Sequence, residues 1–416
     1  MLDYDAALEE GSQIDRLFLS SLIVLAVVVL IKRRVNWAIV FHRNRWLTVL
    51  YSYAFLSVFW SEIPFSSFKR FVRLLGGVIM ALIILTDTSP RKSLEIVLTR
   101  MVYILIPFSL LLIKYYPNLG VAYKPHTGAK SWCGVTMGKN ELGILCMVSG
   151  LFLVWNFFTF RRERVKPRSL IETVSYLLVC GMTLFMLVGD VAYSATALAC
   201  LPAGVITFLL LRMAKRYRVS VGLKGLVIPV VAIFLLAASL PFINASPVSG
   251  VTGVLGRDAT FTARTDIWEI LIPLAFDDAL LGHGFGGFWT GKTIAVAEVN
   301  EAHNGYLEVI LILGVVGLFL LFAFLISYCS YVHRCLLSDR DANWAIFGFC
   351  LLIMLLLHGA TEVSFLSETD VLWAGVIFVS TKYRSVEAPE ISASEEPRSI
   401  PHEEKQLQMS TASILT

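Results

Sequence analysis

The sequence predicts an all-α polytopic membrane protein with about eleven (10–12) transmembrane helices and a folded loop on the outer side. Three observations predict it. Of the 416 residues, 56% are hydrophobic and 16% are charged, against the quarter of charged residues usual in soluble domains. Long apolar runs recur along the chain, and mean hydropathy is +0.72. When those runs are alternated across a bilayer, the Lys and Arg between them gather on one side.

Residues 1–16 form an acidic N-terminal segment with Asp3, Asp5, Glu9, Glu10 and Asp15. A cleavable signal peptide begins with positive charge, so the first span is expected to stay in place. A polytopic domain follows over 17–381. Its apolar cores lie near 17–31, 46–60, 74–86, 93–113, 140–158, 170–189, 193–211, 224–240, 305–330, 343–359 and 368–381. Backbone groups in lipid must be satisfied within the segment, so runs of this kind are helices. Segment 241–302 is too long for a simple turn. Phe261, Trp268, Phe276, Phe285, Phe288 and Trp289 predict that it is folded. The polar, acidic stretch 382–416 reads as a disordered cytoplasmic tail.

With the N-terminus outside, 24 of the 35 Lys and Arg fall inside, 10 fall outside and Lys114 sits on a boundary. The net charge of +4 is too small to predict a nucleic-acid partner. Seven scattered cysteines with no C-x-x-C pair exclude a disulfide framework or zinc knuckle.

The outer cations cluster at four places. In FWSEIPFSSFKRFVRLLG (59–76), Arg70 and Arg73 share a helix face. They read either as snorkelling arginines or as an anion site. In GVTMGKNELGI (134–144), Lys139 and Asn140 open a span, which suits either an anion or a plain helix cap. In GRDATFTARTDIW (256–268), Arg257 and Arg264 are seven apart and share a face if the stretch is helical. Surface salt bridges with Asp258 and Asp266 are the bland alternative. In EAHNGYLEVILILGVVGL (301–318), His303 and Asn304 sit at the mouth of a long span. A lone histidine there is often a cap, but it is also the side chain best suited to move protons near neutral pH. Glu301 and Glu308 are placed to orient it. The glycines of DDALLGHGFGGFW (277–289) match G-x-G-x-x-G, but no strand precedes them. They predict turns or a close backbone approach instead.

Separated cations beside one histidine at the outer interface suit an amphipathic anion such as a lipid diphosphate. In a glycosyl transfer from such a lipid, a base is needed on the acceptor hydroxyl, and fixed cations stabilise the departing diphosphate. No acidic pair at metal-ligand spacing is visible, so no metal or other cofactor is expected.

The motifs at 256–268, 277–289 and 301–318, in this order, resemble the O-antigen ligase and polymerase family of bacterial membrane glycosyltransferases. The stretches 59–76 and 134–144 resemble its upstream motifs. The form of the 256–268 motif is most similar to exopolysaccharide polymerases of the succinoglycan type, with Ala263-Arg264 where Gly-Arg is expected. The resemblance implies a GT-C-like architecture in the inner membrane with its site facing the periplasm. It implies an undecaprenyl-diphosphate-linked glycan as donor, a glycan acceptor, membrane lipids as surroundings, and a chain-length regulator and flippase as partners. By motif, His303 would be the base and Arg264 would bind the donor diphosphate. Arg70, Arg73, Lys139 and Arg257 would assist, with Asn140 and Asn304 in support. Polymerase is the preferred expectation and ligase, with a lipid A core acceptor, the alternative. A transporter or flippase would place its charges nearer the bilayer midplane.

Overall fold

The computed structural model describes residues 13–123, 128, 130–163, 169–189, 193–242, 259–338 and 342–382. The expectations for the first twelve residues, for Arg257 and for the tail from 383 onward lie outside the described residues.

The chain is helical almost throughout. In order, the helices are α1 (Gln13–Lys32), α2 (Trp37–Arg43), α3 (Arg45–Ser57), α4 (Pro64–Leu85), α5 (Pro90–Tyr115), α6 (Lys139–Glu163), α7 (Leu170–Val188) and α8 (Ala195–Arg216). They continue as α9 (Leu223–Ser239), α10 (Ala259–Asp277), α11 (Gly291–Ala297), α12 (Gly305–Leu336), α13 (Ala342–His358) and α14 (Val371–Ser380). A small antiparallel hairpin, β1 (Val121–Tyr123) with β2 (Lys130–Trp132), lies between α5 and α6.

Every apolar run expected from the sequence falls in a helix. Six of the described helices (α5 to α9 and α12) are long and apolar enough to cross a membrane, so this is a multi-pass membrane protein. That is fewer than the eleven spans expected. The other runs meet helices that are short, such as α13 and α14, or carry charges, such as α4 with Lys69, Arg70 and Arg73.

Burial sorts the helices into a centre and a periphery. Fourteen of the seventeen residues of α13 are buried, so this uniformly apolar helix is the axis of the bundle. It packs against α8, α12, α14 and α9. Helix α6 is also largely buried, whereas α5, α7, α8 and α9 leave most of their apolar surface uncovered, as lipid-facing helices do. Gly143 and Gly150 face Ser194, Ala197 and Leu201, which lets α6 and α8 approach closely.

The polarity of these helices concentrates chemistry at one end. The N-termini of α4, α6, α8, α12 and α14 and the C-terminus of α13 bear the sequence-predicted site residues or the segments bonded to them. Within the expected folded loop, the described part contains α10 and α11. Trp268, Phe285, Phe288 and Trp289 are buried there, while Phe276 is exposed.

The glycine-rich stretch makes its close approach to other backbone. Helix α12 is broken at Gly314, whose φ of 64° and ψ of −169° are not helical. The freed groups are taken up by the loop: Val315 N–H donates to Ala279 O (2.8 Å), Val316 N–H to Leu280 O (3.3 Å), and His283 N–H to Leu311 O (3.0 Å). The Trp60 indole donates to Gly282 O (3.1 Å). Gly282 and Gly314 both adopt positive φ, and a Cβ on either would run into the other strand of this contact. The stretch is therefore a structural plug in the break of α12.

Gly282→Ala and Gly314→Ala are each expected to lower stability by about 1–3 kcal/mol or more. Gly77→Ala in α4, where a Cβ meets nothing, should be neutral or slightly stabilising. Thermal unfolding in detergent, followed by tryptophan fluorescence, tests the order; equal midpoints for all three would remove the plug from this account.

Candidate functional site

The His303 segment is fixed by bonds on both flanks. Asn304 caps α12, its Oδ1 accepting from the N–H groups of Tyr306 (3.0 Å) and Leu307 (2.9 Å). Its Nδ2 donates to Ala360 O (2.9 Å), and Gly305 N–H donates to Gly359 O (2.8 Å), which ties the turn to the end of α13. Ala302 is held twice: its carbonyl accepts from the Trp268 indole (2.9 Å), and its N–H donates to Glu308 Oε2 (3.1 Å). His303 itself takes a positive φ of 47°, a region that histidine enters more readily than most residues.

Trp268 lies four residues after Arg264 on α10, so both project from one face. The indole pins that face to residue 302, and Arg264 beside it reaches Glu362. Its Nη2 stands 2.5 Å from Glu362 Oε1. The other carboxylate oxygen accepts from Asn140 Nδ2 on α6 (2.9 Å) and lies 3.5 Å from His303 Nδ1. His303 Nδ1 is also 2.9 Å from Glu301 Oε1, a close but poorly aligned ion-pair contact. One buried carboxylate thus joins three of the residues singled out in the sequence.

These charges tune one another. Burial pulls the His303 imidazole down, but its contacts with Glu301 and Glu362 outweigh this and raise it to about 9. Burial pushes Glu362 up, yet His303 and Arg264 hold it below the ordinary carboxylate value. The resting site at neutral pH is an imidazolium between two carboxylates, one of them paired with a guanidinium. Glu301, His303 and Glu362 also present ligand atoms within 4.8 Å of one another, the donor types a divalent ion takes. Both oxygens of Glu362 are already engaged by Arg264 and Asn140.

The remaining expected residues fall in two places. Lys139 lines a cavity of about 550 Å³ together with Asn140, Glu301 and Glu362. Arg70 lies elsewhere: its Nη1 donates to Gly286 O (2.9 Å) and its stem packs under Gly286, so it props the glycine-rich stretch. Arg70 and Arg73 share a field with Glu368, which burial raises and both arginines lower. Glu308, expected to orient His303, does not do so. It is buried beneath the segment, where it accepts from the Trp289 indole (2.6 Å) and from Ala302 N–H. Asn140 is no cap; it bonds Glu362. Glu362 went unrecognised in the sequence. Its only signal there was an acid at the mouth of a span, in HGATEVSFLSETD (358–370), opposite the cationic clusters.

Glu362→Ala should destabilise the protein by about 3–5 kcal/mol, because it leaves Arg264 half-buried without its anion. Glu362→Gln keeps an acceptor for the guanidinium and should cost less. Thermal midpoints of the two variants in detergent check this ranking, and the reverse order would mean that Arg264 does not depend on Glu362.

Residues 178–322 match the family described as O-antigen ligase. That span contains Arg264, His303 and Asn304 but not Asn140 or Glu362. Over 316 residues the chain is 24% identical to the exopolysaccharide production protein ExoQ of Rhizobium meliloti (strain 1021), covering 73% of this chain and 69% of that protein. Both matches point the same way: the chain is similar to O-antigen ligases over 178–322 and, over most of its length, to a protein of exopolysaccharide production.

Proposed function

We propose that this protein polymerises undecaprenyl-diphosphate-linked oligosaccharide repeat units at the periplasmic face of the inner membrane. The observation that carries the reading is the convergence of His303 and Arg264 on Glu362, at the end of a membrane bundle where several helix N-termini also gather. The relative's role in exopolysaccharide production favours a polymerase. The match to O-antigen ligases favours the second reading, a ligase that transfers the glycan to lipid A core.

In the proposed reaction, Glu301 and Glu362 hold the Nδ1 side of His303, which leaves Nε2 to take the proton of the acceptor hydroxyl. The acceptor oxygen bonds the anomeric carbon of the donor. The bond from that carbon to the diphosphate oxygen breaks, and the electron pair leaves with the lipid diphosphate. Among the described residues Arg264 meets Glu362 through Nη2 alone, and its other N–H groups are the donors assigned to that charge. Lys139 adds positive charge nearby. Arg70 and Arg73 support the fold of the site and its field, and Arg257 completes the set of cations assigned to the diphosphate by motif.

Three outcomes are expected in proteoliposomes supplied with lipid-linked repeat units. His303→Ala should insert normally and lose chain growth by about 10²–10⁴-fold. Arg264→Lys should be impaired at least about tenfold, because a point charge does not reproduce a fork of donors. Since the working base is the neutral imidazole and its pKa stands near 9, kcat/KM should rise about tenfold per pH unit between roughly pH 6 and 8 and level off only above about pH 9. A normal ladder of products from His303→Ala would end its role as base, and a flat pH profile would show that no group of this pKa limits the reaction. Transfer to added lipid A core without self-extension would establish the ligase instead.

A further inference from the structure

The cavity beside Glu301 and Glu362 has a chemistry of its own. Its volume of about 550 Å³ is that of a small-molecule site. The hydroxyls of Ser131, Thr136, Ser367 and Thr369 line it. So do the carboxylates of Glu141, Glu301, Glu362 and Asp370, against the single ammonium of Lys139. Ionised carboxylates only accept hydrogen bonds, whereas hydroxyls both donate and accept. The ligand that satisfies such a wall is rich in hydroxyl groups and carries no negative charge.

Asp370 gives an independent indication. It is buried, at 7% exposure. Its Oδ1 caps α14 by accepting from Leu372 N–H (2.6 Å) and Trp373 N–H (3.3 Å). Its Oδ2 makes no well-aligned hydrogen bond among the described residues; the nearest donor is the Ser364 hydroxyl, which is shared with His358 Nδ1 (2.7 Å). A buried carboxylate oxygen without a well-aligned donor is costly. Burial raises this group only to about 6, so it remains an acceptor at neutral pH.

We infer that this cavity is a subsite for an uncharged sugar ring, and that its carboxylates exclude acidic sugars. The assignment of that ring to the acceptor rests on the proposed glycosyl transfer. Glu301 and Glu362, which meet His303 Nδ1, form part of the same wall, so a ring seated there adjoins the His303 site, with the imidazole itself behind the two carboxylates. The donor diphosphate belongs on the cationic side instead, since four carboxylates repel it and neither Arg70 nor Arg73 lines the cavity.

The test is saturation-transfer NMR on the full-length protein in lipid nanodiscs. The probes are methyl glycosides of glucose, galactose and mannose and the corresponding methyl hexuronides. At least one neutral glycoside should receive saturation in the millimolar range, and its hexuronide should bind about tenfold more weakly. Thr369→Trp, at an exposed position that tolerates a large side chain, should fill the cavity and reduce the neutral signal about tenfold or more. The inference is overturned if the hexuronides bind as well as the neutral glycosides, if no neutral glycoside binds, or if Thr369→Trp leaves the signal unchanged. Binding is read without turnover, so the two readings fail separately. Chain growth by a protein that holds no neutral sugar removes only the subsite. Neutral-sugar binding that Thr369→Trp abolishes, with no transfer of glycan, upholds the subsite and removes only the proposed reaction.

Discussion

A single buried carboxylate, that of Glu362, is the point on which the site depends. It is 5% exposed and receives Arg264 from α10, Asn140 from α6 and the imidazole of His303 from the turn before α12. A charge this deep is tolerated only when it is paired and hydrogen-bonded. The converse also holds. Without Glu362, a guanidinium and an imidazolium would face each other with only Glu301 between their charges and the solvent. The carboxylate therefore does more than neutralise Arg264. It joins elements far apart in the chain and raises the proton affinity of His303 at the same time.

The scaffold around it is stiff where that geometry needs it. Residue 302 is clamped from above by Trp268 and from below by Glu308, and Glu308 in turn is fixed by Trp289. Trp289 follows directly on the glycine-rich stretch that plugs the break of α12 at Gly314. One chain of contacts thus runs from an interrupted membrane helix, through a loop of glycines, to the histidine. The glycines serve by letting two backbones meet, and Arg70 serves by holding Gly286.

Much of the fold was legible in the sequence because lipid leaves the backbone few choices, and each apolar run became a helix. The number of true spans was less legible. Hydropathy does not separate a lipid-facing helix such as α9 from a central one such as α13, which are equal in length and differ in burial more than in composition. Arg264, His303, Lys139 and Asn140 were visible as polar groups where a membrane protein has few. Glu362 was not, because its partners stand 222, 98 and 59 positions away along the chain. Glu308 was misread for the related reason that proximity in sequence to His303 did not determine which way its side chain turned.

The same separation of charge orders the proposed chemistry. A glycosyl transfer brings together a hydroxyl-rich acceptor and a diphosphate leaving group, and these require opposite surroundings. The cavity wall of Glu141, Glu301, Glu362 and Asp370 suits the first, and Arg264 with the cations beyond the cavity suits the second. Glu362 belongs to both, since one oxygen faces Arg264 and the other Asn140 and His303. A diphosphate that draws on Arg264 competes with Glu362 for its positive charge. The carboxylate then pairs more fully with the imidazolium and strengthens its hold on the proton. Donor binding alone therefore disfavours the basic form of His303, and the neutral form becomes productive only with an acceptor hydroxyl in place beside it. On electrostatic grounds such a site guards the donor against premature cleavage, because its base is held protonated, and so is unavailable, when the donor is bound without its acceptor.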